Sequence, residues 1–303
     1  MGAGVVKIGQ MELIERGYRH PTRPGLGVEV LAYRELITRL PASGFGQLHR
    51  LDFHQLLLVN AGAATAMVDF AELPCTPGTL LHTRPGQVQR LPTLECGERP
   101  AELDATLVLF AAAFPAHSPH TAPVIGDPFG QTAFQLAPAD HAAISHAFTD
   151  LATDSRALSA QTADLDVELL QHLLAALLLR IARLADPRDI TAIDGDCFRR
   201  FRHELERSYT VLRRAQTYAD SLGYSLKTLN RACQHTAGHT AKEIIDDRVI
   251  LEAKRLLAHT DLPVVTIGSR LGFTEPTNFG KFFTLRTQTT PAAFRRTQQH
   301  PAS

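Results

Sequence analysis

Two kinds of hydrophobic pattern divide the chain. Up to about residue 115 the apolar residues come in short runs: GVEVLAYREL, FHQLLLVNAG, ATAMVDFAEL, GTLLHTRPG and DATLVLFAAAF. Gly, Pro and Asn punctuate them, and such spacing predicts the short strands of a sandwich or small barrel over residues 26–115. Residues 117–138 read as a loop. From Asp140 the apolar residues recur at steps of three and four, the period of helices. Over 164–185 Leu170, Leu173, Leu174, Leu177, Ile181 and Leu184 make one face, which Leu178 and Leu179 widen. A helix this apolar must bury itself, against its own β domain, against the same helix of a second subunit, or both. The polar DPRDITAIDGD (186–196) reads as an interdomain linker.

The last hundred residues repeat themselves. Leu222-Gly223-Tyr224-Ser225 aligns with Leu271-Gly272-Phe273-Thr274 at an offset of 49, and Leu229 and Cys233 with Phe279 and Phe283 at 50. Each copy predicts a short helix, a turn holding Gly, and a second helix opened by a hydroxyl N-cap, Ser225 or Thr274. Pro276 then falls in the first turn of its helix, where the missing N–H costs little. Gly280, mid-helix, is costly against alanine by propensity and points to a close approach there, DNA phosphate being the leading candidate. Between the copies, TAKEIIDDRVILEAKRLLAH (240–259) predicts one continuous helix. Its length of about 28 Å is close to the ~34 Å repeat of B-DNA, so it could set two recognition helices in successive major grooves. Thr290 and Pro291 open a closing helix.

Composition sharpens this in two places. The 303 residues suffice for two domains, and 44% apolar content excludes global disorder. The net charge of zero hides a split: residues 198–303 carry 17 Lys and Arg against 9 Asp and Glu, the rest 14 against 22. A basic back on an acidic front suggests that the back meets a polyanion. Cys75, Cys96, Cys197 and Cys233 lack CxxC spacing, which argues against structural zinc or a disulfide framework and fits a reducing compartment. The chain's opening has no long apolar run with a cleavage site, and LLQHLLAALLLRIARL (169–184) is too short and charged for a comfortable membrane span. A cytoplasmic protein without membrane partners is the expectation.

Residues 198–297 resemble the DNA-binding domain of the AraC/XylS family of transcription regulators. RVILEAKRLLAHTDLPVVTIGSRLGFTEPTNFGKFFTLRTQTTPAAFRR follows the family's signature, with Ala253, Leu256, Leu257, Ile267, Gly272, Phe273, Phe279, Phe283, Pro291 and Arg295 where the pattern wants them. Gly268 stands where the family usually has Ala, and Gln288 where it usually has Gly. If Leu229, Ala232 and Cys233 are buried, then Lys227, Thr228, Asn230, Arg231 and Gln234 face outward. Similarity to the family selects Lys227, Asn230 and Arg231 as base readers, Arg231 suiting guanine and Asn230 adenine. With Phe279, Phe282 and Phe283 buried, Thr277, Asn278 and Lys281 face out in the second copy. Arg213, Arg214, Lys242, Arg286, Arg295 and Arg296 are expected on phosphates.

The resemblance implies an α+β chain. Its parts would be an N-terminal arm (1–20), a cupin-like effector and dimerisation barrel (21–138), a helical dimerisation segment (139–186), a linker (187–197) and an all-α domain (198–303) with two helix-turn-helix motifs joined by a long helix. Dimerisation would run through Leu170, Leu173, Leu174, Leu177 and Ile181. The arm could fold over the barrel's pocket. Cupin enzymes hold a metal on two histidines, a glutamate and a third histidine; here those places fall on His49, Leu51, Gln55 and Gln89, so no metal, cofactor or catalytic residue is expected. A small-molecule effector, a sugar or an aromatic acid, is expected at His54, His82, Arg84 and Tyr33. Double-stranded promoter DNA, RNA polymerase and a second copy of the chain complete the implied partners, and activation is the implied sense of regulation. Two alternatives stay open: a cupin-type enzyme fused to a DNA-binding tail, and a regulator whose barrel only dimerises.

Overall fold

The computed structural model describes residues 3–8, 11–18, 20, 23, 26–40, 47–94, 100, 102–126, 130–158, 164–185 and 192–299. The chain forms two compact units, residues 1–6 with 12–186 and residues 7–11 with 187–303.

The first unit is built on two sheets. One runs β1 (Ala3–Ile8), β2 (Met11–Arg16), β4 (His49–Leu51), β9 (Val88–Thr93), β6 (Ala64–Val68) and β7 (Ala71–Cys75) in spatial order. The other runs β11 (Ala133–Gln135), β8 (Thr79–Thr83), β5 (His54–Ala61), β10 (Asp104–Phe110) and β3 (Val28–Ala32). Short helices α1 (Tyr33–Arg39) and α2 (Ala122–Gly126) and longer α3 (Pro138–Ala157) and α4 (Asp164–Ala185) complete it.

The five-stranded sheet is covered on both faces. Leu57, Val59, Leu81, Leu107 and Leu109 join Leu51 and Leu91 of the other sheet in the barrel interior. Their strand neighbours Leu56, Leu58, Leu80, Val108 and Phe110 point the other way, into a core closed by Ile144 and Phe148 of α3 and Leu170, Leu174 and Leu178 of α4. A strand buried on both faces reads as a continuous apolar run without alternation. That is why FHQLLLVNAG hides which face is inside.

Three expectations change here. GVEVLAYREL is a strand only to Ala32; Tyr33 and Arg34 start α1, and the Tyr33 hydroxyl donates to the Pro92 carbonyl at 2.5 Å. Within the expected arm, Met11–Arg16 pairs in parallel with β4, Ile14 opposite His49, so it widens a sheet. On α4, Leu170, Leu174, Leu177 and Ile181 are fully buried, and Leu173 is half-buried, in the unit's own core. Leu165, Leu169, Ala176 and Leu179 are the outward apolar residues of that helix.

The second unit is all helical: α5 (Ala192–Ser208), α6 (Ala215–Leu222), α7 (Leu226–Ala237), α8 (Ala241–His259), α9 (Val264–Arg270), α10 (Pro276–Thr287) and α11 (Pro291–Gln299). The repeat is visible in three dimensions. Both turns hold a left-handed glycine, Gly223 at φ 74° and Gly272 at φ 79°, and both second helices have 12 residues. Ser225 caps α7 by accepting from the Thr228 amide. The second copy differs: Glu275, not Thr274, is the N-cap residue of α10, with no side-chain cap, and Pro276 follows it at the helix start. Thr240 and Glu243 form a reciprocal capping box at the start of α8. Thr290 accepts from the Ala293 amide at 3.2 Å at the start of α11. Each copy has its own core, around Phe201, Leu229 and Cys233 in the first and around Ile267, Phe279 and Phe283 in the second, with Tyr209 packed against both.

The two departures from the family pattern have physical readings. A Cβ on Gly268 would lie 3.1 Å from that of Phe279, so its absence gives the phenylalanine room. Gln288 ends α10 at φ 58°, the left-handed region that favours glycine. The expected linker is shortened as well: α5 begins at Ala192, and Asp194 and Cys197 are buried in the helical unit. Among the described residues no helix is long and apolar enough to cross a membrane.

Candidate nucleic-acid interface

The first recognition helix, α7, buries Leu229, Ala232 and Cys233 and turns Lys227, Arg231, Gln234 and His235 to solvent. Its outward residues are not equally free. The Asn230 Oδ1 accepts from the Ala241 amide at 3.0 Å and so serves the start of α8. Thr228 is half-buried against the Ser225 cap. The Arg231 guanidinium is held from one side by Asp194, whose Oδ1 accepts from Nε at 3.2 Å and from Nη2 at 3.0 Å. The Asp194 Oδ2 lies 2.9 Å from Nδ1 of His235.

The second, α10, buries Phe279 and Phe283 and half-buries Phe282. Thr277, Asn278 and Lys281 are exposed. Between them Gly280 faces open space, since an added Cβ would meet nothing within 4 Å.

The six expected phosphate contacts separate into two sets. Arg214 and Arg296 are exposed. Lys242 is exposed but its Nζ pairs with the buried carboxylate of Asp246. Arg286 reaches the same Asp246 from α10, tying the second recognition helix to α8. Arg213 lies over the Phe273 ring, 4.0 Å from its centroid, and donates to the Leu271 carbonyl. Arg295 donates to the Leu257 and Leu262 carbonyls, at 3.2 and 2.6 Å. Arg213, Arg286 and Arg295 are therefore braces between the elements that present the two recognition helices. Sequence alone does not separate such a brace from a surface cation, because the separation rests on which carbonyl or ring the fold brings near.

In the first unit, three of the four residues expected to bind an effector, His54, His82 and Arg84, come together, while Tyr33 stands apart. Leu56 and His82 pair across β5 and β8, and His54 stacks on Phe110 at 4.8 Å between centroids, so both histidines lie on the helix-covered face. They contact each other, His54 Nδ1 to His82 Nε2, at 3.1 Å. Burial, with Arg84 nearby, pushes His54 down to about 3 and His82 well below its ordinary value. Arg84 donates to the Gly130 carbonyl at 2.9 Å and the Gln131 carbonyl at 3.2 Å. Tyr33 is in α1.

The barrel interior instead holds the residues at the cupin ligand places. His49 sits opposite Gln89, and Gln55 and Gln89 exchange amide hydrogen bonds of 2.9 and 3.1 Å. Thr83 also donates to Gln89, at 3.0 Å. Leu36, Leu40, Phe53, Leu91 and Leu109 wall the small cavity beside them. At ≈ 20 Å³ it has room for about one water molecule. Neutral carboxamides closing on each other are a poor donor set for a metal ion.

Two helix-turn-helix motifs sharing a rigid connecting helix and turning polar side chains outward define a double-stranded DNA-binding protein. The comparisons with known proteins agree with that class. The family model for a helix-turn-helix domain matches residues 218–297. The probable transcription factor PqrA of Proteus vulgaris is 31% identical over 98 residues, which cover 32% of this chain and 79% of that protein. The HTH-type transcriptional activator RhaS of Enterobacter sp. (strain 638) is 31% identical over 81 residues, 27% of this chain and 29% of RhaS. The crystal structure of ToxT from Vibrio cholerae O395 aligns over 88% of this chain and 96% of its own, at 11% identity and a TM-score of 0.41. The chain belongs to the AraC family of helix-turn-helix transcription regulators. It is a DNA-binding transcription regulator.

Proposed function

We propose that the chain is a cytoplasmic, homodimeric activator that sets α7 and α10 in successive major grooves of promoter DNA and responds to a small effector in its barrel. The observation that carries the DNA reading is the pair of equal-length recognition helices flanking α8, whose 19 residues span about 28 Å. Lys227 and Arg231 in the first groove and Thr277, Asn278 and Lys281 in the second are its base readers. Arg214, Lys242 and Arg296 supply phosphate contacts, with Arg213, Arg286 and Arg295 acting through the placement of the helices. RNA polymerase is the partner through which activation proceeds.

Gly280 marks where the DNA backbone approaches most closely. Among the described residues nothing excludes a side chain there, and alanine is favoured over glycine by about 1 kcal/mol in a helix. Gly280→Ala is thus expected to raise the melting temperature while weakening binding to a promoter fragment. Affinity of the unaltered chain should fall at least roughly tenfold between about 50 and 200 mM salt. Binding that stays flat with salt would remove the DNA claim; a Gly280→Ala protein that binds as well as the parent would remove only the close approach.

The dimer forms through the outward stripe of α4. Leu165, Leu169 and Leu179 are 74%, 46% and 36% exposed, at helical spacing, while the leucines beneath them are spent on the core. Leu165→Glu with Leu169→Glu is expected to give a folded monomer in sedimentation, whereas Leu177→Glu should unfold the first unit. A dimer that survives the double substitution would place the interface elsewhere.

The effector enters the barrel beside His49, Gln55 and Gln89, where the cavity has amide and imidazole groups and apolar walls. Its present volume requires the Gln55–Gln89 pair to part. A panel of sugars and aromatic acids, followed by thermal shift, tests this; ligands that stabilise the parent and a Gln55→Leu/Gln89→Leu variant equally would place the site outside the barrel.

A further inference from the structure

We propose that Asp194, which lies outside the helix-turn-helix match, is a positioning residue for sequence readout: it fixes the Arg231 guanidinium so that one edge faces the DNA. This rests on the proposed role of Arg231 as a base reader.

Asp194 stands in the first turn of α5 and is only 2% exposed. Its side chain faces α7 and grips two residues one turn apart there, Arg231 through Oδ1 and His235 near Oδ2. The side chains of Arg231 and His235 are 53% and 56% exposed. A carboxylate taken out of water is costly unless paired, so the buried acid holds the cation as firmly as the cation holds the acid.

The geometry of the grip selects what is left over. Guanidinium has five N–H donors in a rigid plane. Asp194 takes the Nε–H and one Nη2–H, which form the side edge. The end edge, with Nη1 and the remaining Nη2–H, stays available as two parallel donors. That fork matches O6 and N7 of guanine in the major groove. An arginine without such an anchor must give up rotamer freedom when it binds and can settle on a phosphate or on a neighbouring base pair. The held arginine meets the groove with its plane already set. Asp194 does not need to touch DNA for this; it acts through Arg231.

Selection from a random double-stranded DNA pool by the full-length chain, with Arg231→Ala, Asp194→Asn, Asp194→Glu and the Asp194→Asn/Arg231→Ala double variant, tests the assignment. Arg231→Ala should erase a guanine preference at one position of the half-site. Asp194→Asn should cut the preference at that same position at least tenfold and leave the other positions intact. The double variant should match Arg231→Ala. Asp194→Glu keeps the charge but moves it by one methylene, so it should relax the same position even if Asp194→Asn proves too unstable to select with. A uniform loss across all positions, or an intact guanine preference in both Asp194 variants, would reduce Asp194 to a staple between α5 and α7. If Arg231→Ala itself changes no position, the base contact is wrong and the positioning role falls with it, a result separable from the first because Arg231→Ala is scored alone.

Discussion

Gly272→Ala is expected to unfold the second helix-turn-helix and abolish DNA binding. Gly272 sits at φ 79°, and a Cβ there would lie 1.8 Å from the carbonyl oxygen of Thr210. Backbone is not a flexible neighbour, so the turn or the 209–213 loop must move. Overpacking of about 1–3 kcal/mol and left-handed strain of about 1–2 kcal/mol add to a cost on the order of 2–5 kcal/mol. A domain's whole stability is only about 5–15 kcal/mol. Gly223 is the internal control. It occupies the equivalent turn at φ 74°, yet an added Cβ there meets nothing within 4 Å. Gly223→Ala should therefore cost only the strain, about 1–2 kcal/mol. Chemical denaturation of both variants separates strain from collision, and equal losses would mean that the Thr210 contact yields easily. The contact matters for function because it joins Arg213 and Arg286 in fixing the second motif against the first. The connecting helix sets a distance; these contacts set the rotation about it.

Lowering the pH from 7 to 5 is expected to destabilise the first unit by about 2 kcal/mol through His54 alone. The folded protein holds His54 down to about 3, chiefly by burial and then by the Arg84 charge. The unfolded chain titrates near 6.5. Between those values the unfolded state binds a proton that the folded state refuses, so stability is complete above about 6.5 and is lost as pH falls toward 3. His82, more deeply buried and facing both His54 and Arg84, acts in the same direction. Among the described residues, one nitrogen of each ring, His54 Nε2 and His82 Nδ1, is buried without a hydrogen-bond partner, so neutral rings are already imperfectly satisfied and a charged one would be worse. Replacing both by leucine should flatten the profile with little loss at pH 7. Hydrogen exchange in β5 and β8, corrected for intrinsic rates, reads the effect; a profile just as steep in the double variant would assign the acid sensitivity to other groups.

Much of the DNA-binding half was legible from residue order. The repeat of Leu-Gly-aromatic-hydroxyl at an offset of 49 marks both motifs because the left-handed turn before each recognition helix is a local requirement. The buried residues Leu229, Cys233, Phe279 and Phe283 follow from helical period alone. The extent of α5 was less legible. DGDC reads as linker by its polarity, yet Cys197, Phe201 and Leu205 recur every four residues and extend the helix upstream to Asp194. That spacing was the available signal for the acid that holds Arg231, but it could not announce the partner.

The barrel shows the opposite balance. Its strands were visible as apolar runs, while the inside was not, because β5 and β8 are buried on both faces and lose the alternation that would tell them apart. Residue order therefore leaves open which face His54 and His82 take, and the amide pair at Gln55 and Gln89 becomes a cavity lining only once two sheets face each other. The leucines of α4 divide in the same way. Period shows an apolar helix, but only the packed sheet decides that Leu170, Leu174 and Leu177 are consumed by the core and that Leu165 and Leu169 are left outside. Local order thus determined the two recognition helices, their turns and the Ser225 cap of the first, since these depend on neighbours within a few residues. Tertiary structure alone decided which cations brace and which face outward, and which side of each strand is interior, because those outcomes depend on atoms tens of residues away along the chain.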